Sequence, residues 1–186
     1  MAIASVMAHG RGATDRLLSG VVARLTEDGV RVLGALRLSE PGNAGGHCDS
    51  DLWLLPDGPV MRITQDLGPG SVACRMDAGA LEDAVGLATA RLIEQGADLV
   101  VLNKFGLSEA EGRGFRAMIA EALARGIPVL IGVSETHRPA FWRFADGLAT
   151  DLPPEVDAVL GWCRNVTRAA FAAPGADPAE MGEAST

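Results

Sequence analysis

Residues 98–135 read DLVVLNKFGLSEAEGRGFRAMIAEALARGIPVLIGVSE, and this stretch decides the fold class. An apolar run ending at Leu102 is followed by a segment with helical spacing and then by a second apolar run, Ile127 to Val133. Short, almost wholly apolar runs are the pattern of strands buried on both faces of a parallel sheet, and an intervening helix makes the pair a βαβ unit. Ser108 and Glu111 form an S-x-x-E capping pattern, while Gly126 and Pro128 mark a helix end. Phe115, Met118, Ile119, Ala122 and Leu123 supply the helix with a buried face. The polar residues Asn103 and Lys104 fall where the first strand ends, the edge at which open parallel sheets hold their ligands.

Working outward, the N-terminus repeats the pattern. IASVMA, residues 3–8, reads as a central strand covering about Ala2 to Ala8, and HGRGATDRLL leads into a helix from about Thr14. Leu17, Leu18, Val21, Val22 and Leu25 form its apolar stripe, Thr14 or Asp15 can cap its start and Gly29 can end it. VRVLGALRL, residues 30–38, supplies the strand that completes this βαβ unit. Residues from about Ser39 to Ser50 have loop composition. Strands at Leu52 to Leu55 and Val60 to Ile63, turning at Pro56-Asp57-Gly58, suggest a small inserted β-hairpin. A helix capped by Asp77 should run from about Ala78 to Gln95, a short one around Pro139 to Asp146, and a last one from about Glu155 to Ala172. The expectation is one domain over residues 1–173, a three-layer, mostly parallel α/β sheet with helices on both faces, and a frayed tail over residues 174–186.

Composition narrows the functional classes. At 186 residues and 48% hydrophobic content the chain can bury a substantial core. A net charge of −8 speaks against a nonspecific nucleic-acid binder, which needs clustered Lys and Arg to displace counterions. No run approaches the ~18 apolar residues of a membrane span, and no signal peptide is evident. Three widely spaced cysteines, Cys48, Cys74 and Cys163, suit a reducing, cytoplasmic setting better than a disulfide framework.

A phosphate-binding loop needs glycines that turn consecutive amides toward an anion, followed by a helix whose N-terminal dipole favours negative charge. Gly10, Arg11, Gly12, Ala13, Thr14 and Asp15 meet that requirement. The complete pattern, G-x-x-x-x-G-K-S/T, is only partly present: Ala13 stands at the lysine position, Thr14 at the hydroxyl position and Met7 at the first glycine. Arg11, Arg16 or Lys104 could restore the missing charge, with Lys104 best placed if its strand lies beside the first. Hydrolysing relatives of such loops also need an acid at the end of another strand to help hold magnesium. Here that strand ends in Asn103-Lys104, and Glu109 and Glu111 in the following turn are the nearest acids, though capping and the helix dipole account for them better. The NK pair matches part of the guanine-reading NKxD motif without its Asp.

Other candidates are weaker. His47, Cys48, Asp49 and Asp51 gather possible metal ligands in a glycine-rich loop, but no second ligand pair accompanies them. Cys74 beside Arg75 reads as a reactive thiol or as packing. His9, His47 and His137 are accompanied by no G-x-S-x-G elbow or recognisable nucleophile, and Trp53, Trp142 and Trp162 are too scattered for a stacking platform.

On the segments GRGATDRLL, LGPGSVACRMD (with Cys74 and Asp77) and DLVVLNKFGLSEAEGRGFR followed by GIPVLIGV, the chain resembles an uncharacterised bacterial family of domains of unknown function. That family looks like a degenerate relative of P-loop nucleoside-triphosphatases, and the resemblance covers roughly Ile3 to Leu152. The NKFG turn is similar in position to the DEIG-type turn of thermophilic nucleoside-triphosphatases and to the adapter protein of molybdopterin guanine dinucleotide synthesis. Matched residue by residue, Gly12 and Thr14 correspond to phosphate-loop residues, while Ala13 and Asn103 depart from the lysine and acid of active relatives. The resemblance implies a P-loop-like fold and, because members occur beside molybdate transport genes, a role in molybdenum handling. Molybdate is tetrahedral like phosphate, so one amide nest could hold either.

Three functions remain open on the sequence. The leading one is a protein that binds a nucleotide or oxyanion at Gly10 to Asp15, with Asn103 and Lys104 nearby and no fast hydrolysis. Its ligand would be a small anion, such as a nucleotide with magnesium or molybdate, and neither nucleic acid nor membrane would be a partner. The second is a slow nucleoside-triphosphatase using Thr14, Asp15 and Glu109 around magnesium. The third is a ligand-free adapter that recruits a molybdenum-pathway protein. A homo-oligomer is compatible with each.

Overall fold

In a computed structural model the described residues are 2–38, 51–65 and 75–172. The His47-Cys48-Asp49 loop, Cys74 and the C-terminal tail lie outside them. The central strand β1 (Ile3–Val6) leads through a glycine turn into α1 (Ala13–Glu27) and on to β2 (Val32–Leu38). The inserted hairpin is formed by β3 (Asp51–Leu55) and β4 (Val60–Arg62), which pair antiparallel as the Pro56-Asp57-Gly58 turn predicts. A small second sheet, β5 (Thr64–Gln65) with β6 (Arg75–Met76), was not foreseen and precedes α2 (Ala78–Gln95). The Asp77 side chain caps α2 by accepting from the Ala80 amide at 3.0 Å.

The chain continues through β7 (Leu99–Phe105), α3 (Leu107–Ala110), α4 (Arg116–Ala124) and β8 (Val129–Val133) to α5 (Arg138–Ala145), β9 (Ala149–Leu152) and α6 (Val156–Ala172). The main sheet runs β4-β3-β2-β7-β8-β1-β9, with β2, β7, β8, β1 and β9 parallel. Successive side chains along these strands face opposite ways, and the core divides accordingly. Val100, Leu102, Val129 and Ile131 pack with α2, α4 and α5, whereas Ala4, Val6, Leu99, Val101 and Leu130 pack with α1 and α6. Leu18, Val21 and Leu25 are fully enclosed on α1, each stabilising the fold by about 1.5–3 kcal/mol relative to an exposed side chain.

At the opposite end of the strands from the glycine turn, Asp98 ties the starts of β2 and β7 together. It accepts from the Arg31 amide at 2.8 Å and pairs with the Arg31 guanidinium at 2.7 Å. Burial pushes the Asp98 carboxyl up, but these Arg31 contacts more than offset it and leave the group below its ordinary value.

Three expectations need correction. The helix after β7 is not continuous: a turn over residues 111–115 separates α3 from α4, because Gly112 and Gly114 take φ values of +88° and +60° that no helix continues through. The Ser108–Glu111 capping pattern is therefore not used, and Glu109 closes this segment instead by accepting from the Gly106 amide at 2.9 Å. The start of α1 is not capped by Thr14 or Asp15. Gly12 takes the cap position at φ 68° without a side-chain cap. The third is β9, an edge strand of mixed polarity that the sequence pattern did not announce.

Candidate functional site

The loop between β1 and α1 is shaped by two residues in the left-handed region, Gly10 at φ 101° and Gly12 at φ 68°, a conformation that glycine adopts without a Cβ penalty. The Ala13 amide donates to the Gly10 carbonyl at 3.2 Å, and the Arg16 amide to the Gly12 carbonyl at 3.0 Å. The amides of Gly10, Arg11, Gly12 and Thr14 meet no acceptor among the described residues. They stand at the N-terminus of a 15-residue helix, where the dipole favours an anion. The Thr14 hydroxyl accepts from the Ala8 amide at 3.0 Å and lies 3.4 Å from the Ala8 carbonyl, so it braces the turn from inside. Arg11 is exposed, and Arg16 donates to the Arg11 carbonyl at 3.3 Å.

The end of β7 joins this turn by a less direct route than the sequence suggests. Strand β8 lies between β7 and β1, so Asn103 and Lys104 do not sit on a neighbouring strand. Asn103 nevertheless reaches α1: its Nδ2 donates to Asp15 Oδ1 at 2.6 Å, and the residue is only 7% exposed. Gly132 on β8 makes the approach feasible, because a Cβ there would lie 2.0 Å from the Asn103 carbonyl oxygen and 2.9 Å from Thr14 Cγ2. Glycine is needed here chiefly for space beside the β7 backbone and also under α1.

Lys104 is separated from its neighbour by a bulge. The β7–β8 register shifts between Leu102 and Phe105, so Phe105 rather than Lys104 takes the next core position, against Phe141 and Phe144 at centroid distances of 5.4 and 5.5 Å. Lys104 is exposed and has no hydrogen-bond or ion-pair partner among the described residues. The result is an exposed cation next in sequence to a buried amide.

Glu109 is not brought to Thr14 and Asp15. It is 5% exposed, and its two oxygens accept from the amides of Gly106 at 2.9 Å and Phe115 at 3.0 Å. Glu111 pairs with Arg113 instead. Asp51 faces Arg62 at 3.5 Å, and no group of three His, Cys, Asp or Glu side chains suited to a metal occurs among the described residues. Cys163 is enclosed under α6, and burial pushes its thiol up to about 12. Trp142 packs edge-on against Phe141, a core role.

One pair escaped the sequence reading. Ser134, just past β8, lies 2.9 Å through its Oγ from His137 Nδ1 at the same end of the sheet. The signal was an i, i+3 polar pair directly after an apolar strand.

A parallel sheet with helices on both faces and a glycine turn between its central strand and α1 defines the class, a P-loop nucleoside-triphosphatase-like α/β fold. The chain belongs to the family described as "Protein of unknown function (DUF2478)", whose model matches residues 3–162. In architecture it is similar to the crystal structure of THEP1 from the hyperthermophile Aquifex aeolicus, with a TM-score of 0.60 and 12% identity over 86% of this chain and 95% of that one. In sequence it is similar to the molybdenum import ATP-binding protein ModC 2 of Bradyrhizobium diazoefficiens, at 34% identity over 165 residues. That match takes in 89% of this chain but only 18% of the length of the relative. Among the described residues no helix is long and apolar enough to cross a membrane.

Proposed function

We propose that this protein binds a small phosphate-like anion, either an oxyanion or the phosphate of a nucleotide, at the turn from Gly10 to Asp15, with Lys104 supplying charge and without efficient hydrolysis. The observation that carries the reading is the set of amides at Gly10, Arg11, Gly12 and Thr14 that meet no acceptor among the described residues, held at the positive end of α1 by two glycines in the left-handed region. Slow hydrolysis follows from the strand end: an amide occupies the position where a hydrolysing enzyme of this fold needs a carboxylate, and the next acid, Glu109, is committed to two backbone amides. A role in molybdenum handling is supported by the likeness to the molybdenum import ATP-binding protein ModC 2, since molybdate has the shape and charge of the anions such a turn accepts.

Calorimetric titration with inorganic phosphate, molybdate, ATP and GTP tests the reading. At least one should bind, and Lys104→Ala should weaken it by about tenfold to a hundredfold, the worth of one charge-assisted contact. Because Lys104 is exposed, the variant should unfold at the wild-type temperature. Absence of heat with all four anions on folded protein would remove the proposal.

A further inference from the structure

We infer that the anion at this turn is taken without a divalent cation, because an amide–carboxylate hydrogen bond has replaced the ligand set of a metal. The inference rests on the anion-binding reading above and narrows it to a free oxyanion or a phosphate monoester rather than a magnesium–nucleoside triphosphate. Magnesium is the ion that the fold class implies, held by a hydroxyl after the glycine loop and by an acid at a strand end. The residues present do not fit it. The Thr14 hydroxyl already accepts from the Ala8 amide at 3.0 Å, with the Ala8 carbonyl 3.4 Å away for its proton, so it is tied to the turn and keeps one lone pair rather than two for a metal.

Asn103 departs further. At 2.6 Å from a carboxylate oxygen, only the NH2 end of its side chain can face Asp15, since two acceptors at that distance repel. The donated hydrogen takes up one lone pair of Asp15 Oδ1, and the neutral amide adds no charge to draw a cation in. An aspartate at position 103 would instead set two carboxylates against each other, an arrangement that demands a shared proton or cation. Asparagine removes that demand and keeps the link between β7 and α1. Magnesium usually enters such sites together with the charge of substrate phosphates. Without it, the cations around the turn are Lys104, Arg11 and Arg16, offset in part by Asp15, and they take the place of a metal in drawing an anion.

The experiment uses the full chain and two probes. Inorganic phosphate should bind the wild type with affinities that differ by no more than about twofold between EDTA and excess magnesium. Manganese(II) alone, followed by its electron paramagnetic resonance, should show no bound fraction on the wild type. Asn103→Asp, verified as folded by circular dichroism, should bind manganese, and Asn103→Asp combined with Asp15→Asn should lose it again. Phosphate binding that vanishes in EDTA, or wild-type manganese binding that Asp15→Asn abolishes, would overturn the inference while leaving anion binding intact. A folded Asn103→Asp that ignores manganese would equally overturn it. Failure of phosphate to bind under either condition removes the anion reading itself, and the inference with it.

Discussion

Gly132→Ala should destabilise the protein by about 3 kcal/mol or more, the upper end of what forcing atoms into a packed interior costs. A methyl group at this position would sit 2.0 Å from the Asn103 carbonyl oxygen and 2.9 Å from Thr14 Cγ2. The first of these neighbours is backbone in the bulged end of β7 and cannot rotate away; the second belongs to a side chain fixed to Ala8. Relief requires β8 to move off β7 or α1 to lift from the sheet. For a domain of this size the melting temperature should fall by roughly 6–12 °C. The same displacement separates Asn103 from Asp15, so phosphate affinity should fall in whatever fraction remains folded. Differential scanning calorimetry with a phosphate titration below the transition measures both effects. An unchanged melting temperature would mean that the strand and the helix are not this close.

Glu109→Ala should have a comparable effect for a different reason. The carboxylate is buried and accepts from two amides, Gly106 before α3 and Phe115 at the start of α4. Each such bond to a charged group is worth about 1.5–3 kcal/mol, and deletion leaves two donors without an acceptor, so a loss of about 3 kcal/mol or more in urea unfolding is expected. Glu109→Gln should recover only part of it, because its NH2 end would confront one of the amides. Gly114 marks how tight the arrangement is: a Cβ there would lie 2.3 Å from Glu109 Oε1. Since this segment follows Lys104 directly, amide exchange at Gly106 and Phe115 should accelerate before the remainder of the sheet loosens. A Glu109→Ala variant as stable as the wild type would show that other acceptors satisfy these amides.

The parts of this architecture that were legible in the sequence are those set by local pattern. The apolar runs of β1, β7 and β8 mark central strands because both their faces are covered, and Asp77 announces the start of α2. The break between α3 and α4 was written in Gly112 and Gly114, but the S-x-x-E pattern masked it. Strand β9 eluded the pattern because an edge strand with Thr150 and Asp151 exposed carries little alternation.

For the candidate site, the glycine turn was local and therefore readable. The Asn103–Asp15 contact was not: it joins residues 88 apart and depends on a strand order that places β8 between them. Gly132 gave no sign of its importance, because inside VLIGV it reads as an ordinary strand residue. Lys104 was expected on a strand adjacent to β1, but β8 intervenes, and the bulge that exposes its side chain arises from pairing register, which the sequence of one strand does not specify.

The central claim is that open backbone amides in the turn after β1 receive an anion. The most direct measurement is a two-dimensional amide NMR titration of the full chain with inorganic phosphate, repeated with molybdate. Saturable shifts are expected at Gly10, Arg11, Gly12 and Thr14, with smaller ones at Asn103 and Lys104, and little change at Arg31 and Asp98 at the opposite end of the strands. Saturable shifts centred elsewhere, or none at the turn with either anion, would contradict it.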